Sequence, residues 1–258
     1  MLMVRVVRVV VICMILSGTG LAAAQGAPLT IAVAANFTQA IEDIGAGFEA
    51  KTGETVRFSF GATGQLYAQI RNGAPFDAFF SADTKTPKLA MQEGLAEPGS
   101  YVVYARGKLV LWSPALPVKE QARQVLHAAA FQHLAITNPK VAPYGAAAMD
   151  VLNKLGDTQR IQDKLVSGNS ITQTFQFVST GNAELGFVAL SQILAPNSPA
   201  KDKGQIWLAP QDLYAPIDQA AIILKRTNNL KLAQEFMAYL RSPDAQKIIE
   251  RYGYEVPR

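Results

Sequence analysis

Apolar positions along the chain follow two rhythms. Residues 29–34 (Leu-Thr-Ile-Ala-Val-Ala) form a short apolar run that reads as a buried strand. Phe37, Ile41, Ile44 and Phe48 then recur at helical spacing on one face, and Gly53 ends the run. The same alternation continues. Residues 55–60 predict a strand, 64–71 a helix, 77–81 a strand and 87–93 a helix. Residues 101–112 are rich in β-formers and broken at Arg106-Gly107-Lys108. Beyond them, 134–137, 185–190, 205–209 and 217–224 read as strands. Residues 146–155, 170–179 and 230–240 read as helices, and Ser242-Pro243-Asp244 opens a last helix running through Tyr252. Strands alternating with helices predict an α/β fold built on open, mostly parallel sheets. Two such sets, with crossings near 104–108 and 210–217, predict two lobes. The expected division is 25–106 with 216–258 in one lobe and 107–215 in the other.

The first 24 residues follow a different pattern. Arg5 and Arg8 precede an apolar run from Val9 to Leu16, and small residues follow, ending in Ala22-Ala23-Ala24. A bilayer span needs roughly 20 apolar residues, so this run is too short for an anchor. It reads as an export signal cleaved after Ala24. Cys13 follows Ile12, where a lipidated cysteine would want a small residue.

Export changes the charge and the cysteine count. The whole chain of 258 residues carries a net +4. Residues 1–24 contain two arginines and no acid, so the mature chain keeps 22 basic and 20 acidic residues. That balance is no nucleic-acid footprint. Cys13 is the only cysteine, so no intrachain disulfide and no cysteine-based metal centre can form.

In open α/β sheets, ligands sit beyond the carboxyl ends of strands. Four turns there stand out: Ala34-Ala35-Asn36-Phe37, Gly61-Ala62-Thr63-Gly64, Pro143-Tyr144-Gly145-Ala146 and Asn169-Ser170-Ile171-Thr172. Each lies at or near a predicted helix start, where unpaired N–H groups and a partial positive charge favour anions. Every one of these residues also has an ordinary role. Asn36 serves equally as an N-cap, Thr63 as part of a plain strand–helix turn, and Tyr144 as packing. Ile171 offers a ligand only its N–H.

None of the four turns contains Lys, Arg, Asp, Glu or His. His127 and His133 adjoin no nucleophile pattern and read as surface or packing residues. No G-x-S-x-G and no phosphate-binding loop motif occurs. Asp77 and Asp83 flank one strand, and capping or turn formation is their preferred role over acid–base work. Glu184 and Asp218 carry no distinct signal.

Several stretches resemble one family, the periplasmic molybdate-binding proteins of ABC importers. They are residues 29–37, Phe60-Gly61-Ala62-Thr63-Gly64-Gln65-Leu66, and 73–83. Thr137-Asn138-Pro139, 141–145, Glu184-Leu185-Gly186-Phe187-Val188, 242–246 and Arg251-Tyr252-Gly253-Tyr254 match as well. The last of these is shared with related solute-binding families. The resemblance spans essentially the whole mature chain. It implies a two-lobed fold with an oxyanion enclosed between the lobes and held by neutral donors. Those donors fall on Asn36 and Thr63 in the first lobe, and on the main-chain N–H groups of Tyr144 and Ile171 in the second. Some members place a Tyr where this chain has Ala189, whose side chain cannot donate; Tyr144 then offers a replacement.

The implied ligand is molybdate, with tungstate beside it, and the implied partner is a membrane-embedded ABC permease. No cofactor, catalysis or nucleic acid is expected, and the protein is expected to be a periplasmic monomer. Molybdate at neutral pH is a fully deprotonated dianion that accepts hydrogen bonds and donates none. A site of donors alone suits it. Discrimination from sulfate would then rest on cavity size. A sulfate or other oxyanion carrier is the alternative reading, and a secreted α/β hydrolase a more distant one.

Overall fold

A computed structural model describes residues 27–257. The predicted export signal, with Arg5, Arg8, Cys13 and cleavage at Ala24, lies outside them.

The described residues form ten strands and ten α-helices, most of them where the sequence predicts them. The first part of the chain holds β1 (Leu29–Ala34), α1 (Thr38–Thr52), β2 (Val56–Gly61), α2 (Thr63–Arg71), β3 (Ala78–Phe80), α3 (Lys85–Gln92) and β4 (Val102–Gly107). The middle holds β5 (Leu109–Ser113), α4 (Val118–Ala128), β6 (Leu134–Thr137), α5 (Pro143–Leu155), α6 (Thr158–Ile161), β7 (Leu165–Gly168), α7 (Ile171–Ser179), β8 (Leu185–Ala189), α8 (Leu190–Leu194) and β9 (Gln205–Leu208). The end holds β10 (Ile217–Ile223), α9 (Leu230–Leu240) and α10 (Pro243–Arg251).

The strands form two five-stranded sheets, ordered β2-β1-β3-β10-β4 and β7-β6-β8-β5-β9. β1 pairs in parallel with β2 and β3, while β10 runs antiparallel to β3 and β4. β6 pairs in parallel with β7 and β8, while β5 runs antiparallel to β8 and β9. Four strands of each sheet therefore point one way and one points back. In each sheet the reversed strand is the first after a crossing. β5 follows the crossing out of the first sheet at Lys108, and β10 follows the return after β9.

Period-two alternation decides which side chains enter which core. In β1, Leu29, Ile31 and Val33 join one cluster, while Ala32 joins the cluster on the other face. In β5, Leu109 and Leu111 face one side, and Val110 and Trp112 the other. Both faces of both sheets are thus covered, which explains the near-continuous apolar runs in the sequence. One cluster runs between the sheets: it includes Ala34, Ala35 and Ala82 together with Tyr144, Ile171 and Phe187.

The helices begin and end for local reasons. Gly53 takes a left-handed conformation (φ 76°) and closes α1, its N–H donating to the Glu49 carbonyl. Ser170 caps α7 and Ser242 caps α10, each accepting from an N–H three residues on. α5 begins at Pro143, three residues before the predicted 146. Proline at a first helical position loses no bond, because that N–H has no partner in a helix anyway.

Candidate functional site

The four turns singled out in the sequence meet between the sheets. β1 leaves its sheet through a 3-10 turn, Ala35–Phe37, that contains Asn36. Ala62 stays extended after β2, and Thr63 opens α2. Ala142 is extended, and Pro143 and Tyr144 open α5. Ser170 is extended, and Ile171 opens α7. Asn36, Thr63, Tyr144 and Ile171 are all buried, and all line one cavity together with Ala62, Ala82 and Ala142. Its volume is about 10 Å3, close to the least that admits one water. A tetrahedral oxyanion is larger, so its admission requires the walls to move apart.

No charged side chain lines the cavity. Its donors come from the fold. Four helical starts converge there, and first-turn N–H groups have no intrahelical acceptor. Not all are free: the Gly64 N–H donates to the Val141 carbonyl at 2.9 Å, tying α2 to the turn before α5. The Thr63 hydroxyl accepts from the Ala82 N–H at 3.1 Å. Its own proton remains to be donated.

Asn36 is placed differently from the simplest expectation. Its side-chain amide gives both protons away from the cavity, to the Gln219 carbonyl oxygen at 2.9 Å and the Tyr254 hydroxyl at 3.0 Å. The group it leaves for a ligand is its main-chain N–H. Tyr144 shows the same division. Its phenol runs to the crossing, where Gln219 Nε2 donates to it at 3.4 Å. A Cβ on Gly107 would stand 2.0 Å from that phenol oxygen, so only glycine fits beneath it. Gly145 is as constrained: a Cβ there would lie 2.1 Å from the Thr137 carbonyl oxygen. That close approach seats α5 on the end of β6 and aims its first turn. Ala189 is buried, gives its N–H to Gln192 Oε1 at 3.1 Å, and is not part of the cavity wall.

Sequence reasoning missed the support behind Asn36. Gln219 Oε1 also accepts from the Tyr104 hydroxyl at 3.0 Å. The Asn36 carbonyl accepts from the Tyr254 hydroxyl at 2.6 Å and from Ser191 Oγ at 2.9 Å. Burial pushes the phenols of Tyr104, Tyr144 and Tyr254 well above the ordinary tyrosine range. They stay protonated, and the whole network is uncharged. One signal pointed there: Gln219 interrupts the apolar strand 217–223, and a polar residue on a buried strand needs partners.

The other candidates take structural places. Asp77 accepts from the Thr30 N–H at 2.7 Å and the Thr227 hydroxyl at 2.6 Å. Asp83 accepts from the N–H of Thr86 at 2.7 Å, in the first turn of α3. His127 lies at the surface against Asp157, at 3.1 Å. Among the described residues, no group of three or more His, Cys, Asp or Glu could hold a metal ion. The arrangement can hold a small, fully deprotonated anion by hydrogen bonds and helix-start dipoles, without a counter-ion.

Comparison with known proteins agrees with this architecture. A family model described as bacterial extracellular solute-binding protein matches residues 29–255. A molybdate-binding protein of Rhodobacter capsulatus is 48% identical over 237 residues, covering 92% of this chain and 91% of that one. A molybdate-binding protein of Azotobacter vinelandii is 50% identical over 239 residues, covering 92% and 94%. The solved structure of an Azotobacter vinelandii periplasmic molybdate-binding protein superposes with a TM-score of 0.85 at 41% identity, covering 89% of this chain and all of that one.

Proposed function

The chain belongs to the bacterial extracellular solute-binding proteins, and from that premise we propose that it captures molybdate in the periplasm and delivers it to a membrane-embedded ABC permease. It binds and releases; it does not catalyse. The observation that carries the reading is the convergence of four uncharged helical starts, two from each sheet, on one cavity without a charged side chain. Molybdate accepts hydrogen bonds only, and this wall offers donors. The high identity to two molybdate-binding proteins supports the same ligand.

The contacts we propose are the main-chain N–H groups of Asn36, Tyr144 and Ile171 and the hydroxyl of Thr63. The halves that close on the anion are 25–106 with 216–258, and 107–215, turning about the crossings beside Gly107 and before Ile217. Tungstate, of like shape and charge, uses the same donors. The mature chain begins near Gln25. One chain supplies every proposed contact, so a monomer suffices to bind the anion.

A thermal-shift screen with molybdate, tungstate, sulfate and phosphate tests this. A ligand that binds only the folded state adds RT ln(1 + [L]/Kd), about 4 kcal/mol at a thousandfold excess over Kd. Molybdate and tungstate raise the midpoint strongly, and sulfate does so far less at equal concentration. Equal shifts from molybdate and sulfate would instead indicate a general oxyanion carrier.

A further inference from the structure

We infer that Ser191 is the positioning residue that holds the two lobes closed, so that its hydroxyl sets how long the anion stays bound. The inference rests on the molybdate-binding reading above and goes beyond it.

Ser191 sits in the first turn of α8, directly after β8, the middle strand of the second sheet. Its hydroxyl is buried and donates to the Asn36 carbonyl, 2.9 Å away, in the turn that follows β1 of the first sheet. The bond therefore joins the lobes at the cavity wall. Among the described residues two other side-chain contacts join the lobes there: Tyr254 Oη lies 3.0 Å from Ser191 Oγ, again at this serine, and the Gln219 to Tyr144 bond is weaker at 3.4 Å.

The bond is also built to be given up. The Asn36 carbonyl has a second and shorter bond, from Tyr254 at 2.6 Å. Tyr254 packs with the core of the first sheet, beside Phe37, so it stays with Asn36 when the lobes part. Opening thus leaves no buried acceptor without a partner, which would otherwise be the largest cost. On the other side, Ser191 and Asn36 both line a groove of about 300 Å3 that also contains Gln39, Thr172 and Gln192. Water reaching that groove solvates the released serine hydroxyl. One neutral hydrogen bond present only in the closed form shifts the closed-to-open ratio by about two- to twelvefold. An enclosed anion leaves only from the open form, so its release rate follows that ratio.

The test is Ser191→Ala in the mature chain, with molybdate as the probe. Calorimetry on the parent first establishes binding. Stopped-flow release then compares the two proteins. The expected result is a dissociation rate about two- to twelvefold faster in the variant, with the association rate unchanged within about twofold, because capture begins from the open form. A merely structural serine would lower the unfolding midpoint and leave release untouched. A second readout does not need the ligand. The mature chain has no cysteine, so Gln69→Cys on α2 and Gln124→Cys on α4, both exposed, carry spin labels on the two lobes. Ser191→Ala is expected to increase the population at longer distance. A parent that binds no molybdate overturns the proposed function, and the distance measurement still decides the role of Ser191. Parent-like release, or unchanged distances when no ligand binds, overturns the role of Ser191.

Discussion

The two sides of the cavity present donors in different ways. On the first-sheet side, Thr63 contributes a side-chain hydroxyl. Asn36 there is held from behind by Gln219, Tyr254 and Ser191, with Tyr104 completing the network. On the second-sheet side, the proposed contacts of Tyr144 and Ile171 are main-chain N–H groups, and what aims them is steric. Gly145 lies against the Thr137 carbonyl, and Ser170 caps α7. One side is positioned by hydrogen bonds that side-chain substitution can remove one at a time. The other is positioned by backbone packing, which side-chain truncation at the contact itself barely touches. Substitutions should therefore have opposite signatures on the two sides.

The largest effect is expected from Gly145→Ala. The added Cβ must retreat by about an ångström from the Thr137 carbonyl, taking the start of α5 with it. A hydrogen bond lengthened by that much is lost. Affinity for molybdate should fall more than about 100-fold, and overpacking should cost about 1–3 kcal/mol of stability. Calorimetry with an unfolding curve measures both. Parent-like affinity here would mean that α5 does not aim a donor at the anion.

Thr63→Ala comes next. It removes one hydrogen bond to a charged group, worth about 1.5–3 kcal/mol, so affinity should fall about tenfold to over a hundredfold. Thr63→Ser keeps the hydroxyl and should bind close to the parent. Asn36→Ala should separate from Thr63→Ala. Its amide protons point to Gln219 and Tyr254, so the loss should appear mainly as about 1–2 kcal/mol of stability, with affinity changed less than about fivefold. An affinity loss as large as that of Thr63→Ala would show that the Asn36 amide turns toward the anion.

These contrasts also mark what a sequence can reveal. The apolar runs at 29–34 and 217–224 and the helical spacing of Phe37, Ile41, Ile44 and Phe48 located the layers, because burial on both sheet faces leaves long apolar runs. β7 (Leu165–Gly168) escaped because it is a short, half-buried strand at the sheet edge. The predicted strand 185–190 runs one residue into α8, which is only five residues long and has no expectation of its own. The four site turns were legible because glycine, proline and asparagine punctuate strand ends. The network behind them was not. Asn36 and Gln219 are 183 positions apart and Asn36 and Tyr254 are 218. Only the fold's two crossings bring them into contact.

The smallest effect is expected from pH, on both sides alike. The one titratable group on the wall, the Tyr144 phenol, is raised by burial and stays protonated, so affinity should stay flat from about pH 6 to 9, a range in which a histidine ligand would change charge. Stability is expected to respond only further up. The phenols of Tyr104, Tyr144 and Tyr254 are raised by burial. Below about pH 10, where unfolded tyrosines begin to ionise, their contribution to stability is complete. Above it the unfolded chain loses protons that the fold retains, so stability falls as pH rises. Unfolding curves from pH 6 to 11 follow this, and a steep decline between 6 and 9 would place another ionisable group in the core.

The proposed function places one oxyanion between the lobes, held by neutral donors from both. Anomalous diffraction at the molybdenum edge from crystals grown with molybdate tests it most directly. One strong peak per chain is expected, enclosed by Thr63 Oγ1 and the main-chain nitrogens of Asn36, Tyr144 and Ile171, with no charged side chain in contact. A peak elsewhere, or one touched by a lysine or arginine, would contradict it.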